Sequence, residues 1–233
     1  MHTNINFSML WLRAVISLLI LAFPLVANAA DRINVFACEP EWASLVEQIG
    51  GDRITVFSAT HAKQDPHHIR ARPSLIAKIR KADLLICSGA DLEAGWLPVL
   101  LRKANARIQP GENGFLMAAD FVPVLGVPVF LDRSLGDLHP DGNPHVHLNP
   151  HNLLLVADEV TKRLVNADDN NARYYLNRLT DFSSRLRRAI NKWEEEFERF
   201  KGVPIITHHK SFEYLINWLQ LTAIGSIEPK PGI

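Results

Sequence analysis

From about Asn170 to Phe200 the chain runs without a glycine or a proline. Through this stretch Tyr174, Leu176, Leu179, Phe182, Leu186, Ile190, Trp193 and Phe197 recur at helical intervals. About thirty residues at 1.5 Å each span on the order of 45 Å, more than the width of one small lobe. Such a helix is either a coiled coil or a spine between two lobes. Its heptad is irregular and rich in aromatics, which favours the spine. Arg185, Arg187, Arg188 and Glu194, Glu195, Glu196 read as its solvated face.

On both sides of the spine, strand-like and helix-like runs alternate. Before it come strands at 33–37, 54–57 and 83–87, with helices at 41–49, 73–81, 97–103 and 153–165. The apolar runs 121–125 and 127–130 are broken by Pro123 and Pro128, so they read as edge strands or loop. After the spine come a strand at 203–207, a helix at 211–219 and a strand at 221–227. This order predicts an α/β fold with parallel sheets, in two lobes joined by one long rigid helix. The expected divisions are a first lobe over 30–168, the spine over 169–201 and a second lobe from 202. Residues 202–233 are too few to build a core unaided, since segments below ~40 residues rarely do. They either pack on the first lobe or begin a second lobe that is incomplete in this chain.

Residues 1–29 read as a secretory signal. Arg13 precedes the apolar run Ala14–Phe23, and Ala27-Asn28-Ala29 offers a small-x-small cleavage site. The run is shorter than the ~20 apolar residues that a membrane span needs. No cysteine sits at the cleavage point, so no lipid anchor is expected. Export places the mature chain in an oxidising compartment. There Cys38 and Cys87 are either buried thiols, the reading taken first, or a disulfide; spacing does not decide between them. Zero net charge and 47% apolar content give no sign of nucleic-acid binding or disorder. No glycine-rich loop follows a strand to hold a nucleotide phosphate.

The histidines fall in groups beside prolines and strand ends. His67 and His68 follow Asp65-Pro66 in the loop after the second strand. His145 and His147 lie between Pro144 and Pro150, in a stretch that proline stiffens. His208 and His209 end the strand after the spine. Ligands of open α/β sheets gather at the carboxyl ends of strands, where these groups lie. Imidazole is the commonest protein ligand for zinc and related ions. Residue chemistry leaves open whether the three groups share an ion, because spacing along the chain does not prove convergence in space.

The motifs themselves resemble the cluster A-I binding proteins, periplasmic and surface proteins that feed zinc or manganese to ABC importers. Asp65-Pro66-His67, with Arg72-Pro73-Ser74 and Lys81-Ala82-Asp83-Leu84, is similar to the family's first ligand motif and the helix and strand after it. Gly89-Ala90-Asp91-Leu92-Glu93 with Trp96-Leu97 fits the next segment. Asn143-Pro144-His145 with Asn149-Pro150 resembles the second motif, Asn-Pro-His-x-Trp-x-Asp-Pro. His209-Lys210-Ser211-Phe212-Glu213-Tyr214 resembles the third, His-x-x-Phe-x-Tyr, and Glu228-Pro229 fits the turn after that. The resemblance implies one divalent ion in a cleft between lobes, held by His67 and His145 from the first lobe and His209 from the second. The family's fourth ligand is a carboxylate beyond the end of this sequence; within it, Glu228 is the first substitute. His147 stands where the family has tryptophan, as a supporting partner or an alternative ligand. The long histidine-rich loop of many zinc-specific members is absent, and residues 134–142 carry only His139. By motif position His61, His68, His151 and His208 are surface or supporting residues.

Three imidazoles with a carboxylate suit zinc, with manganese and ferrous iron behind it. The expected protein is therefore no enzyme but an exported, monomeric metal carrier, periplasmic, whose partners are the ion and the permease subunits of an ABC importer. An exported zinc hydrolase is the alternative, but no glutamate is placed as general base in an H-E-x-x-H helix. A metal-independent surface adhesion module is the other.

Overall fold

In a computed structural model of the protein, residues 32–128 and 139–227 are described. The expected signal at 1–29, the run 129–130 and Glu228 lie outside the described residues. The first sheet has four parallel strands: β1 (Ile33–Ala37), β2 (Ile54–Ser58), β3 (Leu84–Cys87) and β4 (Phe115–Met117), in the order β2-β1-β3-β4. Period-two alternation sorts its side chains to two faces. Val35, Leu84 and Ile86 enter one core, while Phe36, Leu85 and Cys87 enter the other. Both faces are covered by helices, as a parallel sheet requires. Helices α1 (Pro40–Gly50), α4 (Pro150–Ala167) and α5 (Ala172–Phe197) pack on the first face, and α2 (Pro73–Ile79) and α3 (Leu97–Leu101) on the second.

Each helix obeys its sequence signals. Pro40, Pro73, Pro98 and Pro150 stand in first turns, where a missing N–H costs nothing. The buried stripe of α1 is Trp42, Leu45, Val46 and Ile49, at three- and four-residue spacing. Trp42 is fully buried and donates its indole N–H to Ser88 Oγ at 2.8 Å, tying α1 to the end of β3. Gly51 ends α1 at φ +54°, and a Cβ there would collide with the Tyr174 hydroxyl of α5.

Of the two readings of 121–130, edge strand or loop, the described part, 121–128, forms no strand, and the edges of the sheet are β2 and β4. Val122, Val124 and Leu125 are apolar because they pack against the first core, not because they join the sheet. The first reading of Cys38 and Cys87, as buried thiols, is corrected. The cysteines are bridged: Cys38 and Cys87 end adjacent strands with Cα atoms 4.8 Å apart, inside disulfide range.

The spine helix α5 has 26 residues, about 39 Å, and tightens into 3-10 turns at Asp169–Asn171 and Glu198–Phe200. Its charged residues lie on the solvated side and still make bonds there. Arg185 bonds Asp181 and the Gln48 side chain at the end of α1. Glu194 accepts the Trp218 indole N–H at 2.9 Å and lies 2.8 Å from His151 Nε2, linking three helices. Beyond the spine, β5 (Pro204–Thr207) and β6 (Thr222–Ser226) form a separate two-stranded parallel sheet connected by α6 (Glu213–Trp218). Ile206, Ile224 and Ile227 of this part are more than 60% exposed, an uncovered apolar surface. Tyr214 of α6 is instead buried against the first core.

Candidate metal centre

The loop after β2 is fixed before it delivers a histidine. Asp65 caps a short 3-10 turn, Pro66–His68, by accepting the His67 backbone N–H at 2.9 Å. Trp96 holds the same turn by donating its indole N–H to the Pro66 carbonyl at 2.8 Å. Asp65 Oδ1 also lies 2.7 Å from His67 Nδ1. A carboxylate only accepts, so this contact keeps a hydrogen on Nδ1 and presents Nε2 as the ligating atom, the usual support for a metal-binding histidine. Partial burial pushes the Asp65 carboxyl up, but the backbone N–H and ring of His67 outweigh it and hold it below its ordinary value.

The second loop is positioned by side-chain caps. Asn143 Oδ1 accepts the His145 N–H and Asn149 Oδ1 accepts the His151 N–H, each at 3.0 Å. Gly142, at φ +102°, gives the chain a turn in which a Cβ would run into Val124 and the Leu125 carbonyl. Burial first, then the neighbouring His147, His67 and His139, push the His145 imidazole down to about 4. His145 is therefore neutral at any ordinary pH, the state that binds a metal. His147 does not line the cleft. Its ring stands edge-on to His145 and Trp42, with Nδ1 3.4 Å from Glu41 Oε1, and burial lowers its pKa against the pull of Glu41.

The third group comes from beyond the spine. Tyr214 Oη accepts the Leu125 N–H and donates to the Asn143 carbonyl, each at 3.0 Å. Asn143 Nδ2 in turn donates to the Lys210 carbonyl and to Glu213 Oε2. These bonds seat the segment of His209 against the loop of His145.

The result is a cleft of about 310 Å³ lined by all three predicted histidines, His67, His145 and His209. Asp65, Glu213 and His139 line it too. His61, His68, His151 and His208 lie outside this lining. His208 is a neighbour all the same, with Nδ1 2.8 Å from His209 Nε2. Among the described residues the three predicted nitrogens are not drawn to mutual ligand distance. The one set of three ligand groups within 4.8 Å is Cys38, Cys87 and Glu93, and its sulfurs are spent in the disulfide. The residue that sequence reasoning missed is His139. Its Nε2 is 3.0 Å from His67 Nε2, with ring centroids 5.1 Å apart. A lone histidine between Leu138 and Pro140 carries no spacing signal that could have marked it.

A cleft lined by imidazoles beside a parallel sheet makes a candidate metal centre in an α/β protein. The chain belongs to the family described as zinc-uptake complex component A, periplasmic (ZnuA), whose profile matches residues 35–232. Among curated relatives, the manganese ABC transporter substrate-binding lipoprotein PsaA of Streptococcus anginosus is 27% identical over 196 residues, covering 81% of this chain and 60% of its own length. The corresponding scaA of Streptococcus gordonii is 29% identical over 181 residues, covering 76% and 54%. The chain thus spans about 60% or less of the length of these two relatives. Among solved structures, a zinc-bound deletion mutant of ZnuA superposes with a TM-score of 0.72 at 23% identity, covering 87% of this chain and 73% of that one. A manganese-bound periplasmic metal binding protein from Candidatus Liberibacter asiaticus gives 0.68 at 20%, covering 83% and 68%. At these identities the superpositions establish the fold. Among the described residues no helix is long and apolar enough to cross a membrane.

Proposed function

We propose that the protein is an exported carrier that captures one divalent metal ion, zinc before manganese or ferrous iron, and delivers it to the permease of an ABC importer. The proposed ligands are His67, His145 and His209, the proposed compartment is the periplasm, and the cycle is binding and release without turnover. The observation that carries this reading is the meeting of three histidines, from three distant segments, in one cleft. The division into a first lobe, a spine and the start of a second lobe at 202 belongs to the same proposal, supported by the separate β5–β6 sheet. The names of the relatives, all metal or manganese transporter substrate-binding proteins, support the class and leave the ion to be measured. In the test, His67→Ala, His145→Ala and His209→Ala each weaken metal binding far more than His61→Ala or His151→Ala. Equal affinities across the five variants would mean that these are the wrong histidines.

A further inference from the structure

The contact between His67 and His139 goes beyond the three ligands just proposed. Both rings turn Nε2 toward one point, 3.0 Å apart, inside the cleft. Asp65 keeps the hydrogen of His67 on Nδ1, so the Nε2 that faces His139 carries a lone pair. A hydrogen bond across this contact then requires the hydrogen to be on His139 Nε2. Two nitrogens bound to one tetrahedral zinc at about 2.0–2.1 Å are roughly 3.3–3.4 Å apart. The pair therefore stands a few tenths of an ångström from the spacing of co-ligands, with a hydrogen where the ion would sit.

We propose that His139 is a direct ligand of the cargo ion, bound together with His67, and that this added imidazole biases the site toward zinc over manganese. This inference rests on the metal-carrier reading above. For His139 to bind through Nε2, its hydrogen moves to Nδ1 by exchange with water, so this tautomer change itself releases no proton. The ion then replaces one hydrogen bond with two metal–nitrogen bonds. The His145 ring centroid lies 6.3 Å from that of His67, in the same cleft. A set of four imidazoles is uncharged and all nitrogen. Imidazole suits zinc, whereas manganese is better served by carboxylate, carbonyl and water. Glu213, a carboxylate that also lines the cleft, accepts a hydrogen bond from Asn143 Nδ2 at 3.3 Å.

The test compares the full chain with His139→Ala and His139→Gln, the second keeping a polar side chain of similar reach that is a poor zinc ligand. Zinc and manganese affinities are measured by chelator competition, and bound imidazoles are counted by X-ray absorption at the zinc edge. Both variants should lose at least tenfold in zinc affinity, as much as the loss of a supporting partner costs. They should lose less for manganese, and the imidazole count should fall by one. Unchanged zinc affinity and an unchanged count in both variants would overturn the inference and leave the carrier reading standing. A wild-type chain that binds neither ion would overturn the carrier reading itself, and the inference with it; the wild-type arm alone tells the two failures apart.

Discussion

Glu93 offers a sharp test of how the first lobe is built. It lies in the loop after β3, where Gly89, Ala90 and Asp91 all hold positive φ, a strained run for the last two. The buried Glu93 carboxyl accepts the backbone N–H of Ser88 at 2.8 Å and of Gly89 at 3.1 Å, and so ties the loop down. Burial pushes its pKa from 4.5 up to about 7. The adjacent Glu39 is raised as well, by burial and then by the charge of Glu93. At about 1.4 kcal/mol per pH unit, ionising Glu93 in the folded chain costs roughly 3 kcal/mol. The folded state binds this proton more tightly than the unfolded state, so the contribution is complete below pH 4.5 and is lost as pH rises to about 7. His145 acts in the opposite sense. Its folded pKa is lowered to about 4, so stability rises with pH from there to about 6.5. The His145 rise offsets part of the fall set by Glu93 and Glu39 in the wild type, and the test is therefore a difference. Urea unfolding of wild type and Glu93→Gln, with chelator present throughout, is compared from about pH 4.5 to about pH 7.5. The variant should gain roughly 3 kcal/mol relative to wild type across that window. Parallel curves would refute the reasoning and place the Glu93 proton elsewhere.

Other consequences arise from single contacts. Asp65→Asn loses the carboxylate behind His67 and should weaken metal binding about 10- to 100-fold with little change in stability, read by the same chelator competition. Replacing Cys38 and Cys87 by serine opens a 49-residue loop, which in the chain-entropy treatment removes about 4 kcal/mol, seen as a lower denaturation midpoint. Tyr214→Phe leaves the Leu125 N–H and the Asn143 carbonyl without their shared partner; it should cost about 1–3 kcal/mol and raise amide exchange at 124–126 and 209–214.

Much of the fold is legible in the sequence because its signals are local. The strand runs, the prolines in first turns and the unbroken helical spacing through α5 each fix an element without reference to the rest. Where the reading fails, long-range packing decides. Phe115–Met117 is too short to show a period, and it becomes a strand because Gly114, without a Cβ, lets the chain pass close to the Asp83 and Arg107 carbonyls. The run 121–128 has apolar content without a ladder, since Phe121, Val122, Val124 and Leu125 pack against the core rather than beside a neighbouring strand. The bridge between Cys38 and Cys87 depends on β1 and β3 being adjacent, which strand order alone reveals. The same division holds in the cleft. Proline-flanked motifs mark His67 and His145, while His139 is visible only once the turn at Gly142 brings it back to His67.

The central claim is that one divalent ion is held in this cleft by its histidines. Equilibrium dialysis of the full chain against equal zinc and manganese, with elemental analysis of the dialysed protein, tests it directly. The account predicts one ion per chain, mostly zinc, and none in a variant with His67, His145 and His209 all changed to alanine. A wild-type chain without bound metal, or a triple variant that keeps its ion, would contradict it.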